Sequence, residues 1–198
     1  RELIDGIASW WTACHGYNHP HITGAIHDQL DKMTHVMFGG LGHRPAFDLA
    51  RRLAALLPGD LNHVMFSSGG STANDSAYRL IQYYQRDRGK PEKRRIISRH
   101  EAYHGSTYIT AGLCGKKSDR SPNFEYNYDN IHHISTPDLY RRPAGMSEAE
   151  FSSHLVDEFE QKVLELGPDA VSAFWAEPIM GAGGVHVPPQ NYFTGIQG

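Results

Sequence analysis

The sequence predicts an α/β domain built on a mainly parallel sheet. Three observations lead to this prediction: several segments carry apolar residues at helical spacing, short apolar runs lie between them, and glycine or proline separates the two kinds. Strands that alternate with helices are typical of parallel sheets, because a helix usually joins one parallel strand to the next. With 198 residues, the chain is long enough to bury a core.

In the first half, the elements follow one another in the order that this fold requires. Apolar side chains at three- and four-residue steps predict helices over residues 22–33 and 46–57. A short apolar run predicts a buried strand over residues 63–66. The glycine-rich segment 67–72 then predicts a turn, which leads into a helix with an apolar face over residues 73–84.

The second half repeats the alternation. Short apolar runs predict strands over residues 95–98 and 171–176, and residues 105–113 predict a short helix or a turn. Residues 124–146 are rich in Tyr, Asn, Asp, Pro and Arg, which predicts a long surface excursion. A helix is expected over residues 147–166, because a serine opens it and a glutamate three residues later completes a capping box.

Composition argues against several classes of function. A formal net charge of −3 with both signs scattered does not indicate a nucleic-acid-binding surface, and no apolar stretch approaches the roughly 18 residues of a transmembrane helix. The first residues lack the basic start and apolar run of a signal peptide, and they are typical of a domain interior. Cys14 and Cys114 form no CxxC pair, so we expect a reducing, cytoplasmic location.

The 13 histidines raise the rival hypothesis of a metal protein. Six of them lie within the first 43 residues, but their spacing gives no HExxH motif and no repeated pair of ligands. The pattern therefore favours scattered structural and surface histidines, and the sequence predicts no metal site.

The most informative local feature is the succession of strand, glycine-rich turn and helix at residues 63–85. Glycines let the backbone approach an anion closely, and the first turn of a helix offers free N–H groups to phosphate. Ser68, Ser71 and Thr72 add hydroxyl donors. The segment matches neither the P-loop nor the GxGxxG pattern, and a turn that merely caps the helix is the alternative.

Two further features follow predicted strands. Tyr103 and His104 come shortly after the strand at 95–98, and Glu177 directly follows the strand at 171–176. Ligands of open α/β sheets bind at the carboxyl ends of the strands. A cleft with a phosphate site, an aromatic side chain and a carboxylate would suit a phosphorylated heteroaromatic cofactor.

With these motifs the chain resembles the class III, or omega-type, aminotransferases, which have pyridoxal-phosphate fold type I. Residues 68–75 resemble the family's phosphate-binding turn, residues 102–105 its tyrosine–histidine–glycine motif, and residues 176–184 its segment of Glu-Pro followed by Gly-Ala-Gly-Gly. The resemblance implies the aspartate-aminotransferase-like fold and covers essentially the whole chain. It also implies that residues 1–10 end an N-terminal segment or small domain, and that residues 11–198 begin the large cofactor-binding domain.

The resemblance assigns the cofactor site. It implies that Gly70 and Ser71 bind the phosphate of pyridoxal 5'-phosphate and that Tyr103 covers one face of the pyridine ring. His104 belongs to the same motif and is assigned to the cofactor site with it. Glu177 is expected to support the aspartate that pairs with the ring nitrogen.

The resemblance also assigns a substrate pocket. Trp10 and Trp11 match the family's pocket aromatics, and Met37 and Phe38 match a segment that reaches across a dimer interface into the neighbouring pocket. Tyr103 is expected to contact substrate as well as cofactor. Packing in a core is the alternative for both pairs.

Two departures from the family's pattern concern catalysis. Thr72 stands where many relatives carry glutamate. The Schiff-base lysine and the ring-nitrogen aspartate of the family come C-terminal to residue 198, so we expect this stretch to be catalytically incomplete by itself. None of the lysines present has the neighbouring residues that surround the family's Schiff-base lysine: Lys32, Lys90, Lys93, Lys116, Lys117 and Lys162.

The resemblance implies an aminotransferase that moves an amino group from an amine or amino-acid donor to a ketone or aldehyde acceptor. The first third, including residues 15–20 and 35–40, is similar to the 8-amino-7-oxononanoate aminotransferases of biotin biosynthesis, whereas residues 90–94 and 177–181 are more similar to pyruvate-dependent omega-transaminases. A homodimer with shared active sites is expected. The alternative is a non-catalytic fragment or homologue that acts in binding or assembly only.

Overall fold

The computed structural model describes all residues from 1 to 198, and they form two compact units, residues 1–65 and residues 66–198. This division does not test the domain boundary expected at residue 10, which stays a prediction. None of the helices combines the length and the apolar character that crossing a bilayer requires.

The unit of residues 1–65 is helical, with α1 (Ala8–Trp11), α2 (Pro20–Lys32) and α3 (Arg44–Leu56). The single turn α1 is left-handed, since each of its four residues has a φ between 46° and 67°. Both longer helices carry proline in the first turn, where its missing N–H has no intrahelical acceptor to lose. The helices predicted over 22–33 and 46–57 are confirmed, and each begins two residues earlier than predicted.

The unit of residues 66–198 has three strands and four α-helices. In chain order they are α4 (Gly70–Asp87), β1 (Arg95–Arg99), α5 (Tyr108–Leu113), β2 (Ile131–Ile134), α6 (Glu148–Leu166), β3 (Val171–Phe174) and α7 (Tyr192–Gln197). All strand pairs are parallel and the order is β2-β1-β3. The predicted α/β class with a parallel sheet is confirmed.

The central strand β1 is buried on both faces. Ile96 packs with Tyr78 of α4 and Leu113 of α5, whereas Ile97 packs with Leu166 of α6. Both isoleucines are fully buried. Because neighbouring residues of a strand point to opposite faces, α4 and α5 cover one face of the sheet and α6 covers the other.

Two sequence predictions about strands are wrong. Residues 63–66 form no strand: Met65 is 57% and Phe66 38% exposed, so the burial that favours a central strand is missing. Conversely, the stretch 124–146, predicted as a surface excursion, contains β2 and a 3₁₀ turn at Leu139–Arg141. The pattern of β2, with isoleucine at each end and two histidines between, does not alternate as a half-buried strand does.

The predicted capping box at the start of α6 is confirmed, and its contribution to the free energy of unfolding can be tested. The Ser147 hydroxyl accepts from the Glu150 N–H at 3.3 Å, and the Glu150 carboxylate accepts from the Ser147 N–H at 2.8 Å. Ser147→Ala should lower the free energy of unfolding by about 1 kcal/mol, a typical value for a lost N-cap. Urea unfolding measures the change. The exposed Ser153→Ala inside α6 is the control, and an equal loss there would contradict the capping explanation.

Candidate active site

The first turn of α4 forms an anion-binding surface. The helix begins at Gly70, and its first backbone N–H groups have neither an intrahelical acceptor nor a side-chain cap. A Cβ atom built on Gly69 or Gly70 would meet nothing within 4 Å. Free donors, open space and the positive end of the helix dipole together suit a phosphate group.

Hydroxyl groups hold the turn before α4 in shape. The Thr72 hydroxyl donates to the Gly69 carbonyl at 2.9 Å and accepts from the Ser67 hydroxyl at 2.8 Å. The Ser68 hydroxyl lies 3.2 Å from the same oxygen. Thr72, the residue that departs from the family's pattern, therefore organises the turn through its hydroxyl.

The loop after β1 is bound to this same turn of α4. The Ser71 hydroxyl accepts from the Ser106 N–H at 3.1 Å, and the Asn74 amide donates to the His104 carbonyl at 2.8 Å. Gly105, between them, has a φ of +133°, and a Cβ there would lie 2.9 Å from the Ser71 Cα. These contacts place Tyr103, which is half exposed, beside the anion-binding surface.

Glu177, after β3, binds the loop of residues 100–107, the Tyr103 loop, from the other side. One carboxylate oxygen accepts from the Tyr103 N–H and the other from the Gly181 N–H, both at 3.0 Å. The Glu177 carbonyl accepts from the Arg99 guanidinium. The carboxyl ends of β1 and β3 are thereby joined, as expected for ligand sites of open parallel sheets.

His104 lies beneath the surface of the site. Burial lowers the pKa of its imidazole to about 4, while the charge of Glu177 acts to raise it and that of Arg99 to lower it. Its backbone N–H points to the Cys114 sulfur at 3.1 Å. The side chain is therefore neutral near pH 7, and its buried Nε2 atom has no hydrogen-bond partner.

The five predicted cofactor residues, Gly70, Ser71, Tyr103, His104 and Glu177, thus belong to one unit and one connected site. Sequence reasoning assigned no role to Asn74 or Ser106, which hold the Tyr103 loop, nor to Arg99. Asn74 lies inside the motif of residues 68–75, and Arg99 ends an apolar strand with a charge, which is a sequence signal for a special role.

The four predicted pocket residues Trp10, Trp11, Met37 and Phe38 belong to the unit of residues 1–65. All four are more than half exposed in this stretch of the chain. Packing in a core of the whole protein stays the alternative. The Phe38 ring lies 5.2 Å from the His43 ring. Their role in substrate binding stays a prediction.

No group of three or more His, Cys, Asp or Glu side chains is arranged to hold a metal ion.

Comparison with known proteins gives one consistent result. A family model described as "Aminotransferase class-III" matches residues 1–198. The putrescine–pyruvate aminotransferase of Pseudomonas aeruginosa is 35% identical over 99% of this chain and 43% of its own length. Gamma aminobutyrate transaminase 2 of Solanum lycopersicum is 37% identical over 100% of this chain and 43% of its own length.

Solved structures agree in fold. The omega transaminase of Pseudomonas jessenii, in complex with PMP, has a TM-score of 0.91 at 36% identity and covers 96% of this chain and 42% of its own. An (S)-enantioselective omega-transaminase from Thermomicrobium roseum has a TM-score of 0.92 at 34% identity, over 98% of this chain and 43% of its own. The chain spans less than half the length of these relatives.

Proposed function

Because the chain belongs to the class-III aminotransferases, we propose that the protein containing it is a pyridoxal-phosphate-dependent aminotransferase. It moves an amino group from an amine or amino-acid donor to a ketone or aldehyde acceptor. The chain has the fold of the pyridoxal-phosphate-dependent transaminases, fold type I, with a parallel sheet.

The observation that carries this proposal is the junction of the α4 N-terminus with the Tyr103 loop. The residues present fit the cofactor, since free N–H groups and open space at Gly69 and Gly70 suit a phosphate, and the accessible Tyr103 ring beside them suits a flat heteroaromatic ring. Gly70 and Ser71 would hold the phosphate, Tyr103 would cover the ring, and Glu177 would hold the Tyr103 loop in place.

When bound, pyridoxal phosphate supplies an electron sink for charge that develops beside the transferred amine. This chain contributes orientation. The helix dipole of α4 favours the charge of the phosphate. The hydrogen bond between Ser71 and Ser106 keeps the Tyr103 loop against α4. The neutral imidazole of His104 adds no positive charge beneath the site at neutral pH. Assignment of His104 to cofactor binding, and of Glu177 to support of an aspartate, remains part of the proposal.

The choice of substrate is proposed in broad terms. The relatives include putrescine–pyruvate, gamma-aminobutyrate and diaminobutyrate–2-oxoglutarate aminotransferases, which supports primary amines as donors and 2-oxo acids as acceptors. The similarity of the first third to 8-amino-7-oxononanoate aminotransferases keeps a role in biotin biosynthesis as the narrower candidate. We further propose a cytoplasmic homodimer, and substrate-binding roles for Trp10, Trp11, Met37, Phe38 and Tyr103.

The test uses the protein produced from its whole coding sequence. We expect a visible absorbance band from bound pyridoxal phosphate that sodium borohydride makes permanent, and transfer of amino groups from putrescine or 4-aminobutyrate to pyruvate. Protein that takes up no cofactor from an excess would refute the proposal. Protein that takes up cofactor but transfers no amine to any tested acceptor would favour the alternative, a non-catalytic homologue that acts in binding or assembly.

Substitution of Tyr103 tests ring coverage separately. Tyr103→Ala should weaken pyridoxal phosphate binding roughly tenfold, because stacked aromatic pairs contribute about 0.5–1.5 kcal/mol in addition to the apolar area that they bury. Tyr103→Phe keeps the ring face and should bind the cofactor within about twofold of wild type. Titration of absorbance with added cofactor measures both. Equal weakening by the two variants would point to the hydroxyl rather than to ring coverage.

A further inference from the structure

Arg99 is a fully buried charge at the carboxyl end of the central strand β1. Burial lowers the pKa of its guanidinium, while the Tyr192 hydroxyl and the charge of Glu177 act to raise it. Burying a charge is unfavourable unless other groups compensate for its lost hydration. The contacts of Arg99 therefore indicate what the residue does.

The guanidinium reaches across to the segment after β3. It donates from Nη2 to the backbone carbonyl of Glu177. Its central carbon lies 6.0 Å from the centroid of the Phe174 ring and 5.8 Å from that of the Phe193 ring, within the range of cation–π attraction. Arg99 therefore fixes the backbone of Glu177, and two aromatic rings fix Arg99.

Glu177 carries this constraint to the cofactor site. Its two carboxylate oxygens accept from the N–H groups of Tyr103 and Gly181. The backbones here are in close contact, since a Cβ on Gly183 would collide with the Glu101 carbonyl and one on Gly115 would lie 2.6 Å from the His100 Cα. A shift of Glu177 is therefore transmitted to the Tyr103 loop and is not absorbed by loose packing.

We propose that Arg99 is a positioning residue for Tyr103, acting through Glu177. Arg99 holds the Glu177 backbone, the Glu177 carboxylate holds the Tyr103 N–H, and the Tyr103 ring is thereby kept at one orientation over the cofactor. This inference rests on the proposed function, in which Tyr103 covers the pyridine ring. It assigns Arg99 to the site although it touches neither cofactor nor substrate.

The test compares two arginines of the same strand in the whole-length protein loaded with pyridoxal phosphate. Arg95, at the other end of β1, also donates to a carbonyl, that of Leu166 at 2.6 Å. Arg99→Met should weaken cofactor binding roughly tenfold and reduce the visible circular dichroism of the bound cofactor, which reports its orientation, by about half or more. Arg95→Met should leave both within about twofold of wild type while also lowering the melting temperature.

A double-mutant cycle tests whether Arg99 acts on Tyr103 through Glu177. In a Glu177→Ala background, Arg99→Met should weaken cofactor binding less than about twofold further, because the link to Tyr103 is already broken. Arg99→Lys, which keeps a charged donor, should restore more than half of the circular dichroism signal. If Arg99→Met does not fold, Arg99→Gln takes its place in the same cycle, since it keeps a donor without the charge.

Two results would overturn the inference: Arg99 variants that melt lower but keep the cofactor affinity and dichroism of wild type, or full additivity with Glu177→Ala. Wild-type protein that binds no pyridoxal phosphate at all would instead overturn the proposed function. The two failures are therefore distinguishable.

Discussion

Gly105→Ala is expected to weaken pyridoxal phosphate binding roughly tenfold or more, where each tenfold step is about 1.4 kcal/mol. Gly105 has a φ of +133°, which residues with a Cβ rarely adopt. A Cβ there would lie 2.7 Å from the Thr110 hydroxyl oxygen and 2.9 Å from the Ser71 Cα. Either the loop or α4 must move, and both belong to the proposed cofactor site.

The displacement breaks a specific contact. The Ser106 N–H donates to the Ser71 hydroxyl, and the neighbouring Tyr103 depends on that attachment for its place beside the α4 N-terminus. We therefore expect the loss of affinity to exceed the effect of backbone strain alone. Titration of the apo protein with pyridoxal phosphate, followed by visible absorbance, measures it.

Gly145→Ala is the matched control. Gly145 also has a positive φ, of +83°, but a Cβ there would meet nothing within 4 Å. Gly145→Ala should lower the free energy of unfolding by about 1–3 kcal/mol through backbone strain and leave cofactor affinity within about twofold of wild type. Equal cofactor affinities for the Gly105 and Gly145 variants would show that contact between the loop and α4 does not hold the site.

Local sequence patterns predict the helices well and the sheet less well. Residues 147–166 carry a capping box, apolar spacing and a terminal glycine that agree with one another, and the helix forms as α6 (Glu148–Leu166). Strand β2 (Ile131–Ile134) is only four residues long, and it is a strand because β1 pairs with it. That pairing joins residues about 35 positions apart, which no local pattern encodes.

The same distinction applies to the site. The glycine-rich turn before a helix suggested a phosphate site, and Tyr103 and Glu177 drew attention by their places after strands. The family resemblance then assigned Gly70, Ser71, Tyr103 and Glu177 to the cofactor. The attachment of Ser106 to Ser71 and of Arg99 to Glu177 joins segments 35 and 78 residues apart. Such contacts depend on how the strands and helices pack together, so they could be found only in the structure.

Acidification is expected to destabilise the protein through the buried His104 and the partly buried His133. Burial lowers the pKa of His104 and of His133 from 6.5 to about 4. At His133 the charge of Arg120 lowers the pKa further, and its Nε2 atom lies 3.1 Å from the Leu113 carbonyl oxygen, which acts in the opposite direction. Both imidazoles are therefore neutral in the folded protein at neutral pH.

The direction in which pH changes the free energy of unfolding follows from proton linkage. Below about pH 6.5 the unfolded chain binds a proton at each histidine that the folded protein does not bind, so the free energy of unfolding falls as pH falls and levels off below about pH 4. Each pKa unit corresponds to about 1.4 kcal/mol, so each histidine can remove about 3 kcal/mol in total. The lowered pKa values of His100 and His132 act in the same direction.

His133→Gln isolates one of these contributions, since glutamine does not titrate. Its amide offers a donor for the Leu113 carbonyl and an acceptor for the Arg120 guanidinium, the two groups that face Nε2. Between about pH 7 and about pH 4.5 we expect the variant to lose about 2 kcal/mol less of its free energy of unfolding than wild type. Urea unfolding at each pH measures the difference, and the exposed His154→Gln should leave the pH dependence unchanged. If His133→Gln loses as much as wild type, the pKa of His133 is not depressed in the folded protein, and the acid sensitivity must come from other groups.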